Sequence, residues 1–185
     1  MAAVAEQGHY GASKRGIKIG SGKGLGGLLA PTPTSGGLKR LTFSSPTAGP
    51  DKCIFCQIAS KKSPSSVVYE DGKYIGFLDL FPFSRGHTLV CPKKHGETIW
   101  DMEEQEIAEL FKVAFKVSKA VVAAVGADGF RFVQNNGEAA NQVVAHVHVH
   151  VIPVKMEDKG RFFERKRFSP DEMEETARSI RSELA

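Results

Sequence analysis

Short runs rich in β-branched and aromatic residues open the patterned part of the chain, and such runs predict β-strands. Val67–Glu70 and Lys73–Asp79 are two of them. The residues between these runs, Asp71 and Gly72, favour a tight turn, so the pair predicts a β-hairpin. His87–Pro92 predicts a third strand.

Apolar residues recur at helical spacing through Asp101–Val125, and this period predicts one long helix. Acidic residues lie at its N-terminal end and Gly126 follows its last residue, and both features suit helix termini. A second helix is predicted to begin at Ser169, because Pro170 and Glu172 follow at the positions of a capping box. The apolar positions of the long helix are Ile107, Leu110, Phe111, Ala114, Phe115, Val117, Val121 and Val122.

Two more strands are predicted over Gly129–Asn135 and Val143–Pro153. A hairpin, a strand, a long helix and two further strands, in that order, predict an α+β fold with a largely antiparallel sheet and a C-terminal helix. The length of the patterned part suits one domain, which we place at residues 51–185.

Residues 1–50 differ from this domain in composition. They hold 11 of the 19 glycines, six lysines and arginines, and a single acidic residue. Such a segment buries too little apolar surface to offset its chain entropy, so it is predicted to be a disordered, basic, glycine-rich tail. Residues 51–185 carry 19 basic and 20 acidic residues. The sequence pI of about 9.0 therefore describes the tail and does not indicate a nucleic-acid-binding domain.

Several classes of protein do not fit the sequence. No apolar run approaches the ~18–20 residues that cross a bilayer, so no membrane partner is expected. Three cysteines are too few for a secreted disulfide framework, and the N-terminus lacks a signal peptide, which favours a protein of the cytoplasm or nucleus. The basic tail leaves an organelle transit sequence open. Its Gly20–Gly24 segment lacks the register of a phosphate-binding loop.

Three of the six histidines, His146, His148 and His150, occupy every second position of one predicted strand. Side chains at this period share one face of a sheet, where a row of imidazoles adds little stability and therefore indicates a functional site. Neighbours on one face lie ~6.5–7 Å apart, so three in a row fit poorly around one metal ion. A nucleophilic imidazole whose neighbours donate hydrogen bonds to phosphoryl oxygens fits better.

The segment His146–Pro153 resembles the signature of the histidine triad (HIT) superfamily of nucleotidyl hydrolases and transferases. Four further segments resemble family blocks in their order and spacing: Cys53–Ile58, Phe77–Leu80, Gly86–His95 and Asn135–Gly137. The Cys-x-x-Cys start and the compact length are similar to the Hint branch. The resemblance extends over about 100 residues, to Pro153, and implies a HIT-like fold.

The resemblance also implies roles for individual residues. His148 matches the nucleophile that forms a covalent nucleotidyl-histidine, and His150 matches a donor to the phosphate. His87 matches a third histidine of the pocket. Asp79 matches the acceptor of the ribose hydroxyls, a role that suits a carboxylate. The walls around the purine match Phe55, Ile58, Phe77 and Leu80, and the polar groups near the phosphate match Asn135 and Gln142.

One position departs from the family pattern. The family often has Gly-Gln-Ser before the triad, whereas this chain has Asn141, Gln142 and Val143. The hydroxyl that would bond to the phosphate or leaving group is therefore absent at Val143. This change puts the efficiency of phosphoramidate cleavage, and the preferred leaving group, in question.

Cys53 and Cys56 taken alone leave open a metal or redox pair and a pair of partly buried thiols. With His95 and His146 they make a Cys₂His₂ set that suits tetrahedral Zn²⁺ and leaves no position for water. The resemblance implies a structural zinc site at these four residues. His146 would then be a ligand, and its backbone carbonyl could still orient His148.

The resemblance implies a homodimer formed through the long helix and a neighbouring strand. The basic and aromatic residues 155–168 favour a partner-facing extension over a nucleic-acid patch. The expected activity is hydrolysis of a nucleoside 5′-phosphoramidate, or a related AMP or GMP conjugate, at the α-phosphate. Three alternatives stay open: a Fhit-like dinucleoside polyphosphate hydrolase, a nucleotide-binding interaction protein with weak catalysis, and a metal-dependent β-barrel enzyme that binds its metal through His146 and His148.

Overall fold

The computed structural model describes residues 49–159 and 164–185, so the predicted tail lies outside the described residues except for its last two positions. Among the described residues, no helix combines the length and apolarity needed to cross a membrane. The main elements are α1 (Ile54–Ala59), β1 (Val67–Glu70), β2 (Tyr74–Leu78), β3 (Thr88–Pro92), α2 (Glu104–Val125), β4 (Gly129–Val133), β5 (Val149–Val154) and α3 (Pro170–Leu184). Three 3₁₀ turns lie at Ile99–Asp101, Glu138–Ala140 and Met156–Asp158.

The five strands form one sheet in the order β1-β2-β3-β5-β4, and every neighbouring pair is antiparallel. This confirms the α+β fold. The register pairs Leu89 of β3 with His150 of β5, and Val133 of β4 with the same histidine. His150 thus lies in the middle of the sheet, with a strand on each side.

Alternation along the strands divides the core into two layers. Val90, Val149 and Val151 face α2, where they pack against the buried side of that helix and against Ala177 and Ile180 of α3. The opposite face packs against α1. The side chains of this second layer are Cys53, Phe55, Ile58, Ile75, Phe77, Leu89 and Cys91.

The helix termini follow the sequence closely. Gly126 ends α2 in the left-handed conformation, at φ 60°. The capping box predicted for α3 is present, because the Ser169 hydroxyl accepts from the Glu172 amide and the Glu172 carboxylate accepts from the Ser169 amide. The long helix begins later than predicted, at Glu104, since a separate 3₁₀ turn over Ile99–Asp101 precedes it.

The predicted strand Val143–Pro153 is wrong in its first half, because β5 begins only at Val149. The residues before it bond elsewhere: the Val147 amide donates to the Gly96 carbonyl at 2.8 Å, beyond the end of β3. The Pro92 carbonyl, at that end, is taken by the imidazole of His146. Helix α1 was not predicted, since six residues are too few for a helical period to show.

Candidate active site and metal centre

Two cysteines and two histidines from three parts of the chain meet at the start of α1, and we call them the cysteine cluster. Cys53 caps α1 and Cys56 lies in its first turn, while His95 follows β3 and His146 precedes β5. Their four ligand atoms lie within 4.8 Å of one another. The Cys56 sulfur is 3.3 Å from Nδ1 of His95, and Nδ1 of His146 is 3.4 Å and 3.5 Å from the sulfurs of Cys53 and Cys56.

These distances fit a tetrahedral zinc ion. With Zn–S bonds of about 2.3 Å and Zn–N bonds of about 2.0 Å, neighbouring sulfur and nitrogen ligands of a tetrahedron lie about 3.5 Å apart. Nε2 of His146 donates to the Pro92 carbonyl at 2.8 Å, so its Nδ1 presents a lone pair to the two sulfurs. Such a carbonyl partner is the usual orienting group of a metal-bound imidazole. The residues present therefore suit zinc.

Burial favours the uncharged forms of Cys56 and His146. It raises the pKa of the Cys56 thiol to about 11, and the neighbouring Cys53 adds to the shift. Burial lowers the pKa of His146 to about 4. An ion with two positive charges would favour the thiolate forms that zinc requires, because it would stabilise their negative charges inside the protein.

His148 is held by the backbone of its own segment. Its Nδ1 donates to the His146 carbonyl at 2.6 Å, so the lone pair of the neutral ring lies on Nε2. The side chain is buried, and burial lowers its pKa. The Phe55 ring packs against it nearly at right angles, with 5.1 Å between ring centres. A neutral imidazole with one nitrogen bonded and the other bearing its lone pair can act as a nucleophile.

The three triad histidines do not form the even row that the strand pattern predicts. The rings of His148 and His150 are 4.8 Å apart between centres. His146 instead contacts His95, at 5.2 Å, because its segment bends back through a hydrogen bond from the His146 amide to the Val144 carbonyl. The triad is therefore divided between two adjoining groups, the cysteine cluster and the pair formed by His148 and His150.

A second chain of hydrogen bonds fixes His150, and we call it the histidine relay. The Phe83 amide donates to Nδ1 of His87 at 3.2 Å, so the proton of this neutral ring lies on Nε2. That Nε2 is 2.9 Å from Nδ1 of His150, which must accept. His150 consequently carries its proton on Nε2, where it can donate to a phosphoryl oxygen. Burial is the main reason that the pKa falls to about 4 for His87 and to about 3 for His150.

The position of His87 depends on Gly86. This glycine has φ 85°, and a Cβ at this position would lie 2.8 Å from a methyl group of Val125 at the end of α2. Asp79 lies on the other side of His87, with its carboxylate 3.5 Å from Nδ1. Because that nitrogen already accepts from the Phe83 amide and the ring is neutral, the contact is not an ion pair.

The structure brings together only some of the residues expected around the nucleotide. Phe55, Ile58 and Phe77 are buried in the same layer, and the rings of Phe55 and Phe77 are 5.3 Å apart between centres. Leu80 follows β2 and is 71% exposed, away from that layer. Cys91 is buried there, outside the cysteine cluster.

The polar residues expected near the phosphate hold their own loop. Asn135 donates to the Asn141 carbonyl at 3.4 Å. The Gln142 side chain accepts from the Gly137 amide and donates to the Glu97 carbonyl. Val143 follows them and is 83% exposed.

Two residues of the site were missed in the sequence. Phe83 acts through its backbone amide, which no side-chain pattern reveals. Arg165 donates to the Phe81 carbonyl at 2.8 Å and lies over the Phe83 ring, 5.1 Å from its centre. The sequence marks residues 155–168 only as basic and aromatic.

Comparisons with known proteins show which family the chain belongs to. The HIT domain model matches residues 60–157. The chain is 40% identical to the adenylylsulfatase HINT3 of Arabidopsis thaliana over 57% of this chain and 54% of that protein. It is 37% identical to the adenosine 5′-monophosphoramidase hnt1 of Schizosaccharomyces pombe, over 58% and 78%. It is also similar to the crystal structure of a zinc-bound histidine triad family protein from Mycobacterium smegmatis, with a TM-score of 0.66 and 39% identity over 74% of this chain and 95% of that one.

Proposed function

The chain belongs to the HIT family, and from that premise we propose that it is a nucleotidyl hydrolase with His148 as its nucleophile. The observation that carries the proposal is the 2.6 Å bond from Nδ1 of His148 to the His146 carbonyl, which leaves the lone pair on Nε2. The two relatives named for hydrolysis of an adenylyl sulfate and of an adenosine monophosphoramidate support an AMP conjugate as substrate. GMP conjugates belong to the same proposal, because the expected base contacts are apolar.

The proposed reaction has two steps. Nε2 of His148 attacks the α-phosphorus, so a nitrogen–phosphorus bond forms while the bond to the leaving group breaks and its electron pair departs with that group. Nε2–H of His150 donates to a phosphoryl oxygen as negative charge develops. Water then attacks the same phosphorus, and the nitrogen–phosphorus bond breaks with its electron pair returning to Nε2 of His148. AMP or GMP and the neutral imidazole are released, and one proton of the water passes through solvent to the departed group. His87 acts by holding His150 in the donating tautomer.

Recognition of the nucleotide follows from the same residues. The Asp79 carboxylate accepts from the ribose hydroxyls. The purine lies against Phe55, Ile58, Phe77 and Leu80, of which the first three are already packed together. Asn135 and Gln142 lie near the phosphate and hold the loop that precedes the triad.

The proposal includes a structural zinc ion in the cysteine cluster. Cys53, Cys56, His95 and His146 would hold it with all four positions filled, so it would supply a cross-link and no reactive water. It would tie α1, which carries Phe55 and Ile58, to the segment that orients His148. The zinc-bound relative from Mycobacterium smegmatis supports this assignment.

The proposal also includes a homodimer. Strand β4 lies at an edge of the sheet, and its Phe130 is 41% exposed. On α2, Phe111 and Phe115 are 37% and 53% exposed. An outer strand beside exposed aromatic rings suits an interface between two identical chains. Light scattering of the purified chain measures this directly.

The test of the activity uses the full chain with three substrates: adenosine 5′-monophosphoramidate, adenylyl sulfate and a diadenosine polyphosphate. We expect release of AMP by the wild type, and a loss of at least about 10³-fold in kcat for His148→Ala. His9→Ala, in the N-terminal segment, is the matched control and should keep full activity. Brief incubation and mass spectrometry should locate an AMP adduct on His148.

The outcomes separate the candidates. Activity that survives His148→Ala, with no adduct, contradicts the nucleophile. A preference for the diadenosine polyphosphate supports the Fhit-like alternative. Nucleotide binding with no turnover of any of the three substrates supports an interaction protein. Loss of bound metal in His148→Ala supports the alternative in which His146 and His148 are metal ligands.

A further inference from the structure

The segment 164–168, which we call the strap, crosses the loop between β2 and β3. Arg165 donates from its guanidinium to the Phe81 carbonyl at 2.8 Å, and the Lys166 amide donates to the Pro82 carbonyl at 2.7 Å. The guanidinium also lies over the Phe83 ring. The strap therefore contacts three consecutive residues of this loop. It lies beyond residues 60–157, to which the family model matches.

The strap is fixed to the body of the protein at its C-terminal end. It leads into α3, whose Ala177 and Ile180 are fully buried against α2. Arg85, in the same loop, donates to the Thr176 hydroxyl and to the Glu175 carboxylate, both at 2.9 Å. The contacts of the strap with the loop are thus held in place by a packed helix.

The loop decides which nitrogen of His87 carries the proton. Two groups compete for Nδ1: the Phe83 amide at 3.2 Å, which can only donate, and the Asp79 carboxylate at 3.5 Å, which can only accept. With the amide in place, His87 donates from Nε2 and His150 keeps its proton on Nε2. In the alternative tautomer, His87 carries its proton on Nδ1 and donates it in a hydrogen bond to the Asp79 carboxylate. Nε2 of His87 then accepts, and His150 has to donate from Nδ1.

The second arrangement leaves His150 with a lone pair on Nε2 and no proton for a phosphoryl oxygen. The two arrangements contain the same number of protons and differ only in their positions. A displacement of the Phe83 amide favours the second, because it weakens the hydrogen bond that keeps Nδ1 of His87 an acceptor.

We propose that the strap, through Arg165 and the Lys166 amide, holds the Phe83 amide against His87 and thereby selects the tautomer in which His150 donates to the phosphate. Arg165 is in this sense a positioning residue, since it touches the loop and not the reacting atoms. The effect on turnover rests on the proposed function, whereas the effect on the tautomer does not. Burial is the main cause of the low pKa of His87 and His150, and the positive charge of Arg165 lowers both further. Arg165 therefore also helps to keep the two rings neutral.

The experiment compares Arg165→Ala with Arg167→Ala, which removes an exposed arginine from the same strap. The tautomers of His87 and His150 are read from ¹⁵N NMR of the imidazole nitrogens near neutral pH, and kcat and KM are measured with adenosine 5′-monophosphoramidate. We expect Arg165→Ala to move the proton of His87 toward Nδ1 and to lower kcat by about 10-fold or more, with KM changed much less. Arg167→Ala should match the wild type in both readouts.

A second pair isolates the backbone bond. Lys166→Pro removes the donating amide, whereas Lys166→Ala keeps it and removes only the side-chain charge. The first should shift the tautomer and the second should not. Thermal unfolding of each variant shows whether it is folded. If one variant of a pair is unfolded, the other pair decides the test.

The outcomes are distinct. Wild-type tautomers in Arg165→Ala overturn the proposal, whatever happens to kcat, because the residue then acts by another route. A shifted tautomer with unchanged kcat overturns it as well. If the wild type cleaves no AMP conjugate, the proposed function fails, and the NMR comparison still decides whether the strap selects the tautomer.

Discussion

The cysteine cluster and the histidine relay lie on either side of His148 and fix identical rings in opposite ways. In the cluster, His146 donates to a backbone carbonyl, that of Pro92, and presents its lone pair to two sulfurs. In the relay, Nδ1 of His87 accepts from a backbone amide, that of Phe83, and its Nε2 donates a hydrogen bond to His150. A carbonyl makes the bonded nitrogen a donor and an amide makes it an acceptor. The chemistry of each imidazole is thus decided by the backbone group that it meets.

The largest expected effect breaks the cysteine cluster. Cys53→Ser with Cys56→Ser should abolish zinc binding and lower the free energy of unfolding by more than about 4 kcal/mol, because binding of the ion is coupled to the folded arrangement of its ligands. Zinc per chain, measured by atomic emission, and urea unfolding check this. Cys91→Ala, which alters the buried thiol outside the cluster, should keep the metal. A wild type purified in the presence of zinc that binds none contradicts the assignment.

The next effect breaks the relay and leaves the cluster intact. His150→Ala should lower kcat by about 10²-fold to 10³-fold, because it removes the proposed donor to the phosphate, whose hydrogen bond is strongest in the transition state. Its zinc content should equal that of the wild type. His95→Ala is the counterpart on the cluster side, and it should reduce zinc content and stability. If His150→Ala and His95→Ala changed both kcat and zinc content equally, the relay and the cysteine cluster would not be separate regions.

Acid should destabilise the protein through the relay. The pKa of His87 falls from 6.5 to about 4, so the unfolded chain binds more protons than the folded one below about pH 6.5. The free energy of unfolding contributed by this group is complete above that pH and is lost as the pH falls toward 4, by at most about 3 kcal/mol. Asp79, Arg165 and His148 face His87, and the same sign holds for His150.

Urea unfolding near pH 7 and near pH 5 measures this loss. His150→Gln should show a smaller difference between the two values than the wild type does, because one of the groups that resists protonation has been removed. His9→Ala should show the same difference as the wild type. A stability that rises on acidification would contradict the assignment of neutral rings.

The smallest expected effect concerns the helix that anchors the strap. Ser169→Ala should lower the free energy of unfolding by about 1 kcal/mol, since it removes the hydroxyl that accepts from the Glu172 amide. Ser179→Ala, on the same helix, removes a hydroxyl that only bonds back to the Glu175 carbonyl and should cost less. Thermal unfolding compares the two, and zinc content should be unchanged in both.

The sequence predicts the elements of the fold well where they depend on local patterns of residues. The strands up to Pro92, the helix that ends at Val125 and the cap at Ser169 all follow from local patterns. The start of β5 does not, because the alternation continues back to His148 and His146, whereas the pairing of β5 with β3 ends at Val149 and Val90. A local pattern depends only on residues that are close in the sequence. A strand also needs the backbone of a neighbouring strand to pair with.

The candidate site divides in the same way. Its side chains, such as His148 and the four ligands of the cysteine cluster, are identifiable by type, spacing and family resemblance. The tautomers are not, because they depend on the Phe83 amide and on the carbonyls of Pro92 and His146, and every residue but proline carries an amide. The contact of Arg165 with the loop depends on where α3 packs, which no motif encodes.

The double use of His146 has a consequence for mutagenesis. Its imidazole belongs to the cysteine cluster, and its carbonyl accepts from His148, the proposed nucleophile. Since all twenty amino acids carry that carbonyl, a saturation library at this codon can delete the first role and never the second. Selection for stability should therefore demand histidine here. Selection for turnover should accept any residue that lets the backbone keep its path between Val144 and Val147.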